Sequence, residues 1–228
     1  MTEEDKKRGC KISLIGSTSA IAIIRNENGK NILYVANIGD AEVNLVTKKD
    51  GIYECKLLTK IHSVDNERPR LQKCGNPSIH QGRFEMIGFA RLNVARGFGD
   101  KTLKPVGIKE IMEKFPDQKE SFLEKHKSGW SISTPHIEKF EIDSTFQYLM
   151  VNSDGLKVNN FNNHSIAQLF EESENALKPN LSKIPALMVK AVRDLDGIDD
   201  ITIILAKFHR EQYLHLPSHP KSEERLLL

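Results

Sequence analysis

Carboxylates at the ends of strand-like runs are the residues of this chain best placed for chemistry. Asp154 comes just after the apolar run Phe146 to Asn152, and Asp199 and Asp200 come just before the run Ile201 to Phe208. If the two runs are antiparallel neighbours, the end of one lies beside the start of the other, and the carboxylates meet at one sheet edge. Like charges held that close call for a cation, and hard oxygen ligands suit Mg²⁺ or Mn²⁺. The plainer reading of Asp154-Gly155 is a turn residue satisfying local amides. A calcium loop beginning at Asp194 fails on its ligands, because Ile198 and Leu205 occupy its fifth and twelfth positions. No Gly-x-Ser-x-Gly, His-Glu-x-x-His or phosphate-loop Gly-Lys-Ser/Thr pattern occurs. Gly97-Phe98-Gly99 lacks the third glycine of a dinucleotide loop and reads as a turn. Among the 8 histidines only His62 adjoins a predicted sheet end, where a core or solvated role is the ordinary one. Asn163-His164-Ser165 and Asn180-Leu181-Ser182 match the glycosylation sequon but carry no weight without a secretory signal.

The rest of the chain must position those carboxylates. Its 228 residues carry a net charge of +2, with 39% hydrophobic and 28% charged side chains, the profile of one soluble globular domain with tails. So even a balance argues against nucleic acid or a membrane surface as partner. Cys10, Cys55 and Cys74 show no metal-type spacing and read as reduced, buried thiols. No apolar run approaches the roughly 18 residues of a membrane span. The start, Thr2 to Arg8, is charged where a signal peptide would be apolar. The expected location is cytoplasmic or nuclear.

From Thr18 to Thr59 short apolar runs alternate with turn residues, predicting four strands: Ser19 to Arg25, Asn31 to Ile38, Glu42 to Thr47 and Ile52 to Thr59. With short connections they form an antiparallel meander with one face on a core. Asp65 to Cys74 predicts a short helix with Pro69 in its first turn, stopped at Gly75-Asn76-Pro77. Phe84 to Val94 is strand-like, and Lys101 to Thr134 reads as an exposed insertion with some helix over Ile108 to Lys127. Strands follow at Ile137 to Ile142 and Phe146 to Asn152, the latter a central buried one. Two amphipathic helices span Asn163 to Lys178 and Leu181 to Leu195. A last buried strand covers Ile201 to Phe208, and the tail 209–228 is expected to be poorly ordered. Strands, then helices, then a final strand indicate a segregated α+β fold.

In this order the motifs resemble those of the metal-dependent type 2C protein serine/threonine phosphatases, the PPM family. The matching landmarks are Gly16-Ser17-Thr18, Val35 to Asp40, Leu58-Thr59 with His62, and Arg70-Leu71 with Gly75. They continue through Leu92 to Asp100, Pro135-His136-Ile137, Ser153 to Leu156 and Gly197 to Thr202. The resemblance implies an α-β-β-α sandwich, two antiparallel sheets flanked by helices, over residues 16–208, with a charged segment 1–15 before it. It also implies a two-metal centre at one sheet edge, where a metal-bridging water attacks the phosphoryl group. Asp154 and Asp199 fall at the family's two carboxyl-terminal metal-ligand positions.

The departures matter as much. The family's amino-terminal Arg, Glu and Asp-Gly-His-Gly-Gly segment, with its bridging aspartate, has no counterpart before Gly16, so the domain is expected to lack the family's amino-terminal strands. Ile61 stands for the Asp that precedes the family's histidine, Val158 for the Asp four residues after Asp154, Asp200 for an Asn, and Ala41-Glu42 for Ser-Arg. Two cations about 3.5–4 Å apart need a bridging carboxylate and several further oxygens. The expectation is therefore one Mg²⁺ or Mn²⁺ ion held weakly at most, at Asp154 and Asp199, with no two-metal centre and negligible catalysis. The first functional expectation is a phosphatase-like regulatory or adaptor protein with a phosphoprotein or signalling partner. Self-association through unpaired sheet edges would accompany it. The alternative is an active Mg²⁺/Mn²⁺-dependent serine/threonine phosphatase represented by an incomplete chain. A degraded paralogue without function is the third.

Overall fold

A computed structural model describes residues 15–74, 79–80, 82–84, 92–104, 113, 129–158, 160–176 and 181–208. Chain reversal at Asn28-Gly29 joins β1 (Ser19–Glu27) to β2 (Lys30–Ile38), both turn residues taking positive φ (52° and 81°). Asp50 and Gly51 do the same between β3 (Glu42–Lys49) and β4 (Ile52–Leu57). Asx-Gly hairpin chemistry is thus visible in the sequence and realised twice.

The expected single meander divides between two sheets. β2 pairs with β1 and with β7 (His136–Glu141), and that sheet runs β1-β2-β7. β3 pairs instead with β4 and with β8 (Phe146–Asn152), and the second sheet runs β4-β3-β8-β9, ending in β9 (Ile203–Lys207). All these pairings are antiparallel. The chain changes sheet at Gly39, whose φ of 88° and close approach to Thr18 exclude a side chain. β8 is central and buried at Tyr148, Leu149 and Met150, as its apolar run predicts. β9 is not a buried strand: it forms the sheet edge, and Ile204 is 62% exposed.

Alternation in the strands feeds two cores. Leu33, Val35, Val43, Leu45 and Leu149 fill the space between the sheets. On the opposite face of the four-stranded sheet, Val46, Tyr53, Tyr148 and Met150 meet Ile166, Phe170, Met188 and Val192 of two helices. These are α2 (Asn163–Asn175) and α3 (Ile184–Asp194). α2 starts at Asn162, whose Oδ1 accepts from the His164 and Ser165 amides, while the Ser165 hydroxyl accepts from the Asn162 amide. Ser165 of the apparent sequon thus serves a capping box with Asn162, and Asn163 is the first residue of the helix. α1 (Arg68–Lys73) carries Pro69 in its first turn, as expected, and packs Leu71 into a third core with Phe84, Ala95 and Trp130. Between α1 and β7, Ile79–His80 and Arg83–Phe84 form a short ladder, β5 and β6.

The α+β arrangement of two antiparallel sheets with helices thus stands. Among the described residues the two longer helices lie on the four-stranded sheet, and the outer face of the three-stranded sheet exposes Ile21, Ile23 and Ile137 at 48%, 52% and 62%. The expected helix stop at 75–77, most of the strand Phe84 to Val94, most of the insertion, the amino-terminal segment and the tail fall outside the described residues.

Candidate functional site: a carboxylate edge

β8 and β9 are antiparallel neighbours with Asn152 opposite Ile203, so the Asp154 and Asp199 loops emerge from the same end of the sheet. Polar bonds then zip the loops together. The Ser153 amide donates to the Thr202 carbonyl at 3.1 Å, and the Ser153 hydroxyl donates to the Asp200 carbonyl at 3.1 Å while accepting from the Thr202 amide at 3.0 Å. Gly155 approaches so closely that a Cβ would lie 2.1 Å from the Asp200 carbonyl oxygen. The two loops that carry Asp154 and Asp199 are therefore neighbours at one end of the sheet. The carboxylates themselves differ: Asp154 is half-buried, whereas Asp199 is exposed and accepts the Asp200 amide at 2.8 Å on its own Oδ1. That bond ties the Asp199 side chain to its own loop backbone.

Three charged residues at this edge had no site role in the sequence reading. Asp40 follows Gly39, and burial followed by the charge of Asp154 raises its carboxyl above the usual range, with Lys157 opposing. Glu42, only 7% exposed, accepts from the Asn44 and Asn152 amide groups at 3.2 Å each, and Lys157 Nζ reaches its Oε1 at 2.7 Å. Lys157 closes the turn begun by Asp154, its amide donating to the Asp154 carbonyl at 2.8 Å. Their sequence signals were Asp40 at the end of the landmark Val35 to Asp40 and Glu42 in place of the family's Arg; Lys157 had none. Among the described residues no group of three or more His, Cys, Asp or Glu side chains is arranged to hold a metal ion.

The other landmarks brace this edge. His62 is fully buried, its Nδ1 3.2 Å from the Gly39 amide nitrogen and 3.1 Å from the Gly39 carbonyl oxygen. Burial, then the charge of Arg96, pushes its pKa down to about 4. Asn37 donates to the Gly39 and Lys60 carbonyls, so two side chains hold the turn that presents Asp40. Arg70 and Arg96 converge on buried Glu67 at 2.6 and 2.9 Å and also bond the Ala95, Trp130 and Thr134 carbonyls. Burial alone would raise the Glu67 carboxyl, but the bonds from Arg96 and Arg70 outweigh it and hold it below the usual range. Gly97 and Gly99 serve a close approach as well as a turn. Phe98 exchanges backbone bonds with Ser17, and a Cβ on Gly99 would meet the Ile15 carbonyl.

The protein phosphatase 2C family model matches residues 1–191. Among curated relatives, a probable protein phosphatase 2C 59 of Oryza sativa subsp. japonica is 26% identical over 213 residues, covering 92% of this chain and 52% of that one. The Arabidopsis thaliana protein of the same description is 25% identical over 201 residues, covering 86% of this chain and 51% of that one. The chain thus spans about half the length of these relatives. Among solved structures, a C. elegans sex determining protein superimposes with a TM-score of 0.61 at 18% identity, over 94% of this chain and 45% of that one. The serine-threonine phosphatase 2C of Toxoplasma gondii gives 0.61 at 14% identity, over 91% of this chain and 62% of that one. At these identities the two structures speak for the fold alone.

Proposed function

The chain belongs to the protein phosphatase 2C family, and from that premise we propose that it uses the family fold as a regulatory or adaptor protein and does not hydrolyse phosphoserine or phosphothreonine itself. Val158 carries the reading. At a position where the family's motif has an aspartate, it turns a hydrocarbon into the core beneath α2 and α3, and its Cγ1 would lie 3.0 Å from a Cβ on Gly197. Ile61 replaces a second family carboxylate. Members of the family are generally Mg²⁺- or Mn²⁺-dependent, and a two-metal centre needs a bridging carboxylate with several further oxygens. Asp154 and Asp199 would supply ligands for one weakly held ion, a donor set that does not fit the pair.

A contact function is supported by the outer sheet face, where Ile21, Ala36 and Ile137 lie in one cross-strand row beside Ile23. β1 is also a sheet edge among the described strands. Exposed apolar rows and open edges favour association with a protein partner, a phosphoprotein or signalling protein, or with a second copy. Phosphate release from a phosphopeptide in millimolar Mn²⁺ tests the proposal. No release above buffer is expected; release that disappears in Asp154→Asn would establish catalysis and overturn it.

A further inference from the structure

We propose that Lys157 is a built-in competitor of the divalent cation: its ammonium supplies positive charge to the carboxylate edge, so that Asp154 and Asp199 bind a metal ion only weakly. This deepens the non-catalytic reading and concerns the same edge.

Geometry carries the case. Glu42 pairs with Asn152 across β3 and β8, two residues before Asp154, and Asp40 lies between β2 and β3, so all three residues gather at one end of the four-stranded sheet. Glu42 is buried and cannot be left unbalanced without cost. It receives two amide groups and one ammonium, and the ammonium, at 2.7 Å, brings a full positive charge to it. The Lys157 backbone is held at the edge by its turn bond to Asp154 at 2.8 Å, and its ammonium by the ion pair with Glu42. Its side chain is 43% exposed against 10% for Glu42, so the ammonium sits at the mouth of an open cleft walled by Leu156, Phe161 and His164. A divalent ion at Asp154 would therefore approach an existing cation, and repulsion between like charges lowers its affinity.

The test is Mn²⁺ titration followed by electron paramagnetic resonance, on the intact wild-type chain and on Lys157→Gln, Lys157→Met and Lys157→Arg. The wild type is expected to bind Mn²⁺ more weakly than about a millimolar, and the Gln and Met variants at least about tenfold more tightly. Arg, which keeps the charge, should bind like the wild type. Equal affinity in all four overturns the proposal, and so does wild-type binding tighter than micromolar, a result needing no variant to fold. Phosphate release is measured separately, so failure here and failure of the non-catalytic reading are told apart.

Discussion

A Cβ on Gly155 would lie 2.1 Å from the carbonyl oxygen of Asp200 and 2.8 Å from its carbon, so the loop after β8 touches the loop before β9 through bare backbone. The obstacle is main chain, with no flexible side chain to yield. Gly155→Ala should cost about 1–3 kcal/mol, the range of overpacking in a close-packed region. Loss of the Ser153–Thr202 bonds should accompany it. Chemical denaturation and amide hydrogen exchange at Thr202 check both, and an unchanged denaturation midpoint would contradict the close contact.

Buried His62 gives the fold an acid-sensitive element. The unfolded chain takes up a proton near pH 6.5, the ordinary histidine value, whereas the folded chain resists it to about 4. Stability from this residue is complete above about pH 6.5, declines as pH falls through that window and is lost below about 4, by up to about 3 kcal/mol. Asp40 and Asp100 act oppositely, since burial raises both carboxyls and their ionisation costs stability as pH rises. Denaturation midpoints measured between pH 4 and 7 should show a slope that His62→Gln reduces. The same slope in the variant would remove His62 from the account.

Glu67 gathers two arginines from distant parts of the chain, Arg70 on α1 and Arg96 beyond β6. Removing a buried partner leaves uncompensated charge, so Glu67→Ala should destabilise by about 3–5 kcal/mol. Thermal melting reads the loss. A change below about 1 kcal/mol would mean that solvent satisfies the arginines.

Ile23 lies on the outer face at 52% exposure, outside all three cores. Ile23→Lys should leave stability within about 0.5 kcal/mol of wild type. If this face mediates self-association, light scattering should show the mass falling toward that of one chain. A wild-type protein already monomeric at high concentration would leave the face to a different partner.

The order of strands and helices was legible because hairpin signals, period-two alternation and amphipathic helical spacing are local. Asn28-Gly29, Asp50-Gly51 and the run Phe146 to Asn152 each need only their neighbours in the chain. The pairing of Asp154 with the 199–202 loop was also within reach, as it follows from two antiparallel strands. The roles of Asp40, Glu42 and Lys157 at that edge were not, for Glu42 and Lys157 lie 115 positions apart in the chain and no periodicity encodes their ion pair. Arg70 and Arg96 of the Glu67 brace were visible as landmarks without a common purpose, and Glu67 was not singled out at all.

By itself, then, the sequence determined the element types, the turn positions and the landmarks that place the chain in its family, because these depend on short-range sterics and side-chain alternation. The tertiary structure decided which hairpin joined which sheet, put β9 at an edge, and set an ammonium among the carboxylates. Those outcomes depend on burial and charge balance between segments far apart in the chain, which only the folded arrangement brings into contact.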